Sequence, residues 1–67
     1  MLKLIGENIR AIRKEMGFSQ EELADRAGVN RVYVSYIENA KFNVTIKVLE
    51  KIAKALDVEI MKLFKKN

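Results

Sequence analysis

The sequence predicts an all-α fold, a compact bundle of five short helices that forms a single domain over residues 1–67. Three observations support this prediction. Apolar residues recur every three or four positions, as they do on one face of an α-helix. Glycines and helix-capping residues fall where this pattern breaks. The alternating runs and hairpin turns that indicate β-strands do not occur in the sequence.

The length and composition narrow the possible functions. A chain of 67 residues allows one small domain, and such domains bury only about 60 % of their unfolded surface. Cysteine and histidine are absent, which excludes disulfides and thiolate metal sites and removes the commonest general base. We therefore expect no metal, no cofactor, no small-molecule ligand and no catalytic site. Stability has to come from tight helix packing and from dimer formation.

The charge balance favours a polyanionic partner. Thirteen basic residues against nine acidic ones give a net charge of +4, which is typical of nucleic-acid-binding chains and also of chains with solvated lysines. No apolar run approaches the roughly 20 residues that span a bilayer. Residues 1–16 lack the continuous apolar centre of a signal peptide. The expected location is cytoplasmic, without membrane association.

The first two helices are predicted on either side of Gly17. Apolar residues at alternating spacings of three and four mark the inner face of the first helix, and they are Leu2, Ile5, Ile9, Ile12 and Met16. Gly17 ends that helix. Ser19, followed three residues later by Glu22, is a capping box that starts the second helix at Gln20. The inner residues of the second helix are Leu23, Ala24 and Ala27.

Three further helices complete the predicted bundle. Gly28 ends the second helix, and Asn30 is a good N-cap for a third helix. Residues 39 to 44 lack helical periodicity and are predicted to form a loop. Thr45 caps a fourth helix, and Asp57 or Glu59 opens a short fifth one. The inner residues of helices three to five are Val34 and Ile37, then Ile46, Leu49, Ile52, Ala53 and Leu56, then Ile60, Leu63 and Phe64.

The second and third predicted helices meet the requirements of a helix-turn-helix. This stretch, Ser19 to Asn39, reads SQEELADRAGVNRVYVSYIEN. Two helices that cross steeply need a small residue at their contact and a short turn, which Ala24 and Gly28 provide. The apolar residues that must then point inward are Val29, Val34 and Ile37. Gln20 opens the first helix of the motif, so its amide and the free N–H groups suit a phosphate.

With these residues the chain resembles the Cro/CI-type phage-repressor family, also called the xenobiotic-response-element helix-turn-helix family. The resemblance runs from IRAIRKEMGFSQEELADRAGV through YIEN to TIKVLEKIAKALDV and KLF, which is nearly the whole chain. Within the family, NRVYVSYIE followed by NVTIKVLEKI is most similar to the small controller proteins of restriction–modification systems. The resemblance implies the phage-repressor fold and a transcriptional regulator, such as a repressor, that binds double-stranded DNA.

The resemblance also implies which residues contact DNA. In the family the N-terminal part of the third helix lies at base edges in the major groove, and the matching residues are Arg31, Val32, Ser35 and Tyr36. An arginine fork suits guanine, and a β-branched side chain suits the thymine methyl. The positions matched to phosphate contacts are Ser19, Gln20, Asn39, Lys41, Asn43 and Lys47. Tyr33 carries a hydroxyl that suits a phosphate, and the two tyrosines are bulkier than the residues usual in the family.

Further predictions concern polar residues of the first helix and the loop after the third helix. The resemblance implies a structural salt bridge between Arg13 and Glu38, which makes Arg13 unavailable to DNA. Arg10 and Lys14, on the outer face of the first helix, suit either a phosphate or solvent. Family members often have glycine where this chain has Ala40.

A dimer surface is predicted from apolar residues at positions where the family is usually polar. Val48 and Met61 are such residues, and they either extend the core or form a symmetric interface with Val44, Ile60 and Phe64. The small size of the chain favours the interface. Since a two-fold dimer reads half-sites about 34 Å apart, we predict a homodimer on an inverted-repeat operator. The alternative is an antitoxin or another protein-interaction module with the same fold, whereas an enzyme is not expected.

Overall fold

The computed structural model of the protein describes residues 1–41 and 43–66. Its elements are α1 (Leu2–Met16), α2 (Gln20–Ala27), α3 (Arg31–Glu38), α4 (Ile46–Ala55) and a C-terminal 3₁₀ helix (Ile60–Phe64). The all-α prediction is confirmed for this part of the chain. The predicted fifth helix is a five-residue 3₁₀ helix rather than an α-helix. Phe42, within the predicted loop, and Asn67 lie outside the described residues.

The starts of α2, α3 and α4 are capped by the residues that the sequence predicts. The side chains of Ser19, Asn30 and Thr45 each accept a hydrogen bond from a backbone N–H two or three residues later, at 2.7 to 3.2 Å. Each such cap stabilises its helix by about 1 kcal/mol. The capping box at Ser19 is only half formed, because the Glu22 carboxylate accepts a hydrogen bond from Arg26 Nε at 2.7 Å.

All four α-helices end with a residue in the left-handed conformation. Gly17 (φ 78°) and Gly28 (φ 71°) follow α1 and α2, where the sequence predicts helix ends. Ala40 (φ 55°) and Asp57 (φ 58°) have the same role after α3 and α4. After α3, the N–H groups of residues 40 and 41 donate back into the last turn at 3.1 and 2.9 Å, as in a Schellman motif. Ala40 therefore adopts a backbone conformation that glycine usually provides.

The core lies where the inner faces of the four α-helices and the 3₁₀ helix meet. Its buried apolar residues are Ile5, Ile9, Ile12, Leu23, Ala24, Ala27, Val34, Ile37, Leu49, Ile52, Ala53, Leu56 and Leu63. Two residues predicted to face inward do not. Ile46 is 59 % exposed because it opens α4, one turn before Leu49 reaches the core, and Met16 is 44 % exposed at the last position of α1. Of the described helices, none has the length and apolar character needed to cross a membrane.

Two residues of α1 fix its position against the rest of the fold, and the sequence did not single out either role. The buried Asn8 side chain donates from Nδ2 to the backbone oxygens of Leu63 (2.9 Å) and Lys65 (2.7 Å), which ties α1 to the C-terminal segment. At Gly6, an added Cβ would lie 2.5 Å from the Ile37 carbonyl oxygen and 2.7 Å from that of Glu38. α1 therefore contacts the end of α3 directly.

Candidate nucleic-acid interface

The two sides of α3 have different surroundings. Val34 and Ile37 are buried in the core. On the opposite side Arg31 is exposed, Val32 is 43 % exposed and Tyr36 is 48 % exposed. A short helix thus presents a cation, a β-branched group and an aromatic ring to solvent. Guanine edges and thymine methyl groups are the major-groove features that suit an arginine and a β-branched side chain.

The remaining predicted contacts of α3 are less accessible. Ser35 is half-buried, and Tyr33 is half-buried with its ring packed against the core. The two tyrosines therefore differ, since Tyr36 points outward and Tyr33 contributes to packing. A half-buried tyrosine keeps its ring in an apolar environment while its hydroxyl reaches the surface.

The predicted phosphate contacts fall into two groups. Lys41, Asn43 and Lys47 are exposed around the start of α4. The other group consists of polar side chains that already have partners within the protein. The Ser19 hydroxyl caps α2, and the Gln20 amide donates from Nε2 to Glu38 Oε1 at 3.1 Å. The groups that remain for DNA are the Ser19 hydroxyl as a donor, the rest of the Gln20 amide, and the backbone N–H groups in the first turn of α2.

Glu38 is the centre of a polar network that joins three helices. Its side chain has no solvent exposure, and its Oε2 accepts from Arg13 Nε at 2.6 Å while Oε1 accepts from Arg13 Nη2 at 3.1 Å. Arg13 also donates from Nη1 to the Phe18 backbone oxygen at 2.8 Å. The resemblance implied this ion pair, and it is bidentate. Two further donors, Gln20 and Arg10, reach Oε1 at 3.1 and 3.4 Å.

The network determines the ionisation of Glu38. Burial alone would raise the pKa of this carboxyl group. The hydrogen bonds from Arg13, Gln20 and Arg10, together with the positive charge of Arg13, outweigh burial and hold the pKa below its ordinary value of 4.5. Glu38 is therefore an ionised, fully paired group at neutral pH.

Arg10 belongs to this network, a role that the sequence reasoning missed. Its Nη2 donates to Asn39 Oδ1 at 3.0 Å, in addition to the contact between its Nε and Glu38. The available signal was its spacing, because Arg10 lies three residues before Arg13 and such pairs share one face of a helix. Across residues 1–41 and 43–66, no group of three or more acidic side chains is placed to hold a metal ion.

The predicted dimer surface contains one largely exposed residue. Met61, on the 3₁₀ helix, is 64 % exposed. The other four residues, Val44, Val48, Ile60 and Phe64, are partly buried and pack against the core. The extended-core explanation thus fits these four residues. The interface explanation fits Met61, which offers apolar surface beside an open groove that Glu50 and Lys54 also line.

The arrangement of α2, the turn at Gly28 and the outward face of α3 defines a helix-turn-helix protein. Comparison with known sequences agrees with the geometry, because residues 9–63 match the family model described as "Helix-turn-helix". The chain belongs to this helix-turn-helix family, of the Cro/CI type.

SinR and a controller protein are among the individual relatives. The transcriptional regulator SinR of Bacillus subtilis (strain 168) is 47 % identical over 58 residues, which are 85 % of this chain and 52 % of SinR. The chain thus spans about half the length of that relative. The crystal structure of the restriction–modification controller protein C.AhdI from Aeromonas hydrophila is similar with a TM-score of 0.92 and 40 % identity, over 94 % of this chain and 96 % of C.AhdI. The crystal structure of SinR in complex with DNA gives a TM-score of 0.86 and 44 % identity, over 91 % and 98 % of the two chains.

Proposed function

We propose that this protein is a transcriptional regulator that binds specific sequences in double-stranded DNA by placing α3 in the major groove. The observation that carries the proposal is the exposed side of α3, where Arg31, Val32 and Tyr36 face solvent while the opposite side is core. The relative SinR, whose structure was solved with DNA, supports it.

The proposed roles follow from position and chemistry. Arg31 binds guanine, Val32 contacts a thymine methyl, and Ser35 and Tyr36 read neighbouring base edges. Phosphate contacts come from the start of α2, from α3 and the loop that follows it, and from the start of α4. The residues proposed for them are Ser19, Gln20, Tyr33, Asn39, Lys41, Asn43 and Lys47. These contacts attract DNA in a salt-dependent way and fix the orientation of α3.

Substituting Arg31 tests the base-reading role. The operator is first selected from a random-sequence duplex pool by the wild-type protein, and affinities for it and for random DNA are then measured by fluorescence anisotropy. Arg31→Ala is expected to lose about 1–3 kcal/mol of discrimination between the two. The matched control is Lys51→Ala, which removes an exposed cation from α4 and should leave discrimination unchanged. Equal losses of Arg31→Ala on both duplexes would instead make Arg31 a phosphate contact.

We further propose that the protein binds an inverted-repeat operator as a homodimer through Met61 and its neighbours Val44, Val48, Ile60 and Phe64. A protomer measures 25 × 22 × 19 Å. Two copies side by side are of a size to reach major-groove segments about 34 Å apart. The dimer would also cover the apolar surface of Met61.

Sedimentation velocity tests this surface. Met61→Glu places a charge in the proposed interface and should shift the protein toward the monomer at concentrations where the wild type is a dimer. Met16→Glu is the control, because Met16 is an exposed methionine at the end of α1, outside the proposed interface. An unchanged profile for Met61→Glu would exclude this interface.

The regulated system is proposed from the similarity to C.AhdI, a restriction–modification controller protein. An inverted repeat upstream of the gene for this protein, with a restriction endonuclease gene downstream, would support a controller role. A neighbouring toxin gene would favour the antitoxin alternative.

A further inference from the structure

We propose that Arg10, on α1 and outside the helix-turn-helix, is a positioning residue for DNA binding. Its guanidinium group holds the side-chain amide of Asn39, at the end of α3, in the orientation that donates to a DNA phosphate. This inference rests on the proposed function, since it assumes that α3 enters the major groove.

The contacts of Asn39 define the orientation of its amide. Arg10 Nη2 donates to Asn39 Oδ1 at 3.0 Å, and Asn39 Nδ2 donates to the Ser35 backbone oxygen at 2.8 Å. An arginine only donates and a carbonyl oxygen only accepts, so the two partners fix which end of the amide is oxygen and which is nitrogen. The amide nitrogen carries a second N–H, and Asn39 lies on the exposed surface.

Arg10 is itself held in place. Its Nε contacts Glu38 Oε1 at 3.4 Å, and Glu38 is anchored by the bidentate contact with Arg13. The guanidinium group thus bridges a buried carboxylate and a surface amide. The two contacts use different nitrogens of one planar group, which limits the rotation of the side chain.

A phosphate near the end of α3 needs this kind of arrangement. The last carbonyl groups of a helix carry a partial negative charge that disfavours an anion. Asn39 engages one of these carbonyls, that of Ser35, and turns an N–H group outward. The end of α3 can then approach the DNA backbone without repulsion.

A simpler alternative is that Arg10 contacts a phosphate directly, because its side chain is partly exposed. The two roles predict different energetics. A direct contact adds to that of Asn39 and contributes to the salt dependence of binding. A positioning role disappears once the Asn39 amide is removed, and it leaves the salt dependence nearly unchanged because the contact that is lost is made by a neutral group.

A double-mutant cycle distinguishes these roles. The proteins are the wild type, Arg10→Met, Asn39→Ala and the double variant, with Lys51→Met as the control for loss of an exposed cation outside the proposed DNA interface. The probe is the duplex that the wild-type protein selects from a random-sequence pool. Affinities are measured by fluorescence anisotropy between about 50 and 200 mM salt, at a temperature where thermal melts show every variant to be folded.

We expect Arg10→Met and Asn39→Ala each to weaken binding about tenfold, as for one lost hydrogen bond to a charged group. The double variant should be no weaker than Asn39→Ala alone, and Lys51→Met should stay within about twofold of the wild type. Losses that multiply in the double variant would overturn the inference. A salt slope that falls by about 0.9 in Arg10→Met would overturn it as well. Failure of the wild type to select any sequence would instead refute the proposed function.

Discussion

Replacing Glu38 by glutamine is expected to remove a large part of the stability of this protein. The Glu38 side chain is fully buried and that of Arg13 is 10 % exposed, so Glu38→Gln leaves a buried guanidinium group without its counter-charge. Breaking a buried pair in this way costs about 3–5 kcal/mol. Because Arg13 keeps its bond to the Phe18 backbone oxygen, we expect the lower end of that range. Domains have only about 0.05–0.15 kcal/mol of stability per residue, so this loss is comparable with the total.

Thermal unfolding followed by circular dichroism measures this loss. A 60–100-residue domain loses about 4–8 °C of melting temperature per kcal/mol, so Glu38→Gln should melt more than about 10 °C below the wild type. The matched control is Glu22→Gln. The Glu22 carboxylate contacts Arg26 at 2.7 Å on the surface, where an i,i+4 pair contributes only about 0.3–0.5 kcal/mol. Protein concentration must be kept constant, because the proposed dimer formation would make the melting temperature depend on it.

The stability difference between the wild type and Glu38→Gln should depend on pH, and this dependence tests whether Glu38 is ionised. Its pKa in the folded protein lies below the ordinary value of 4.5. The stabilisation is therefore fully present above the unfolded pKa and is lost as the pH falls through the folded pKa. The gap between the wild type and Glu38→Gln should be wide at neutral pH and should narrow below about pH 4.5. A gap that stays constant with pH, or one no larger than that of Glu22→Gln, would refute this reasoning.

Two further substitutions test the backbone geometry around α3. In Gly6→Ala the new Cβ would lie 2.5 Å from the Ile37 carbonyl oxygen. Alanine gains about 1 kcal/mol in helix propensity, but we expect a net loss of about 1–3 kcal/mol in the free energy of unfolding measured with urea. A variant as stable as the wild type would contradict the close approach of the two helices. Ala40→Gly relieves an alanine of the left-handed conformation (φ 55°), which costs an alanine about 1–2 kcal/mol. Glycine in turn loses about 0.4–1 kcal/mol more chain entropy on folding, which is the smaller of the two effects. The stability of this variant in the same assay should rise by up to about 1 kcal/mol, and a decrease would contradict the assigned conformation.

The fold was largely predictable because its signals are local. Ser19, Asn30 and Thr45 cap helices through bonds that span two or three residues, and Gly17 and Gly28 end helices by their own conformation. Patterns of this length are visible in the sequence itself. The left-handed conformations at Ala40 and Asp57 carry weaker signals, because aspartate adopts this conformation only somewhat more readily than most residues and the alanine side chain itself disfavours it.

The details of the candidate interface were less predictable because they depend on contacts between distant residues. Arg10 and Asn39 are 29 positions apart, and Asn8 and Leu63 are 55 apart. The sequence marks each of these residues as polar but does not say which other groups it meets. Ile46 is an apolar example of the same difficulty. The helical spacing of apolar residues predicts that it faces the core, but at the first position of α4 it lies beyond the core and is exposed.

The buried carboxylate connects the stability of the fold to the proposed DNA binding. Glu38 belongs to α3, its partners Arg10 and Arg13 belong to α1, and its partner Gln20 opens α2. The same contacts that stabilise the bundle therefore also fix the start of α2 relative to the end of α3, the two places proposed to bind phosphate. Acidification or substitution at Glu38 should weaken DNA binding before the protein has fully unfolded. The side chains proposed to read bases, Arg31, Val32 and Tyr36, lie on the solvent-facing side of α3, so substitutions there should change which DNA sequence is bound more than the stability of the fold.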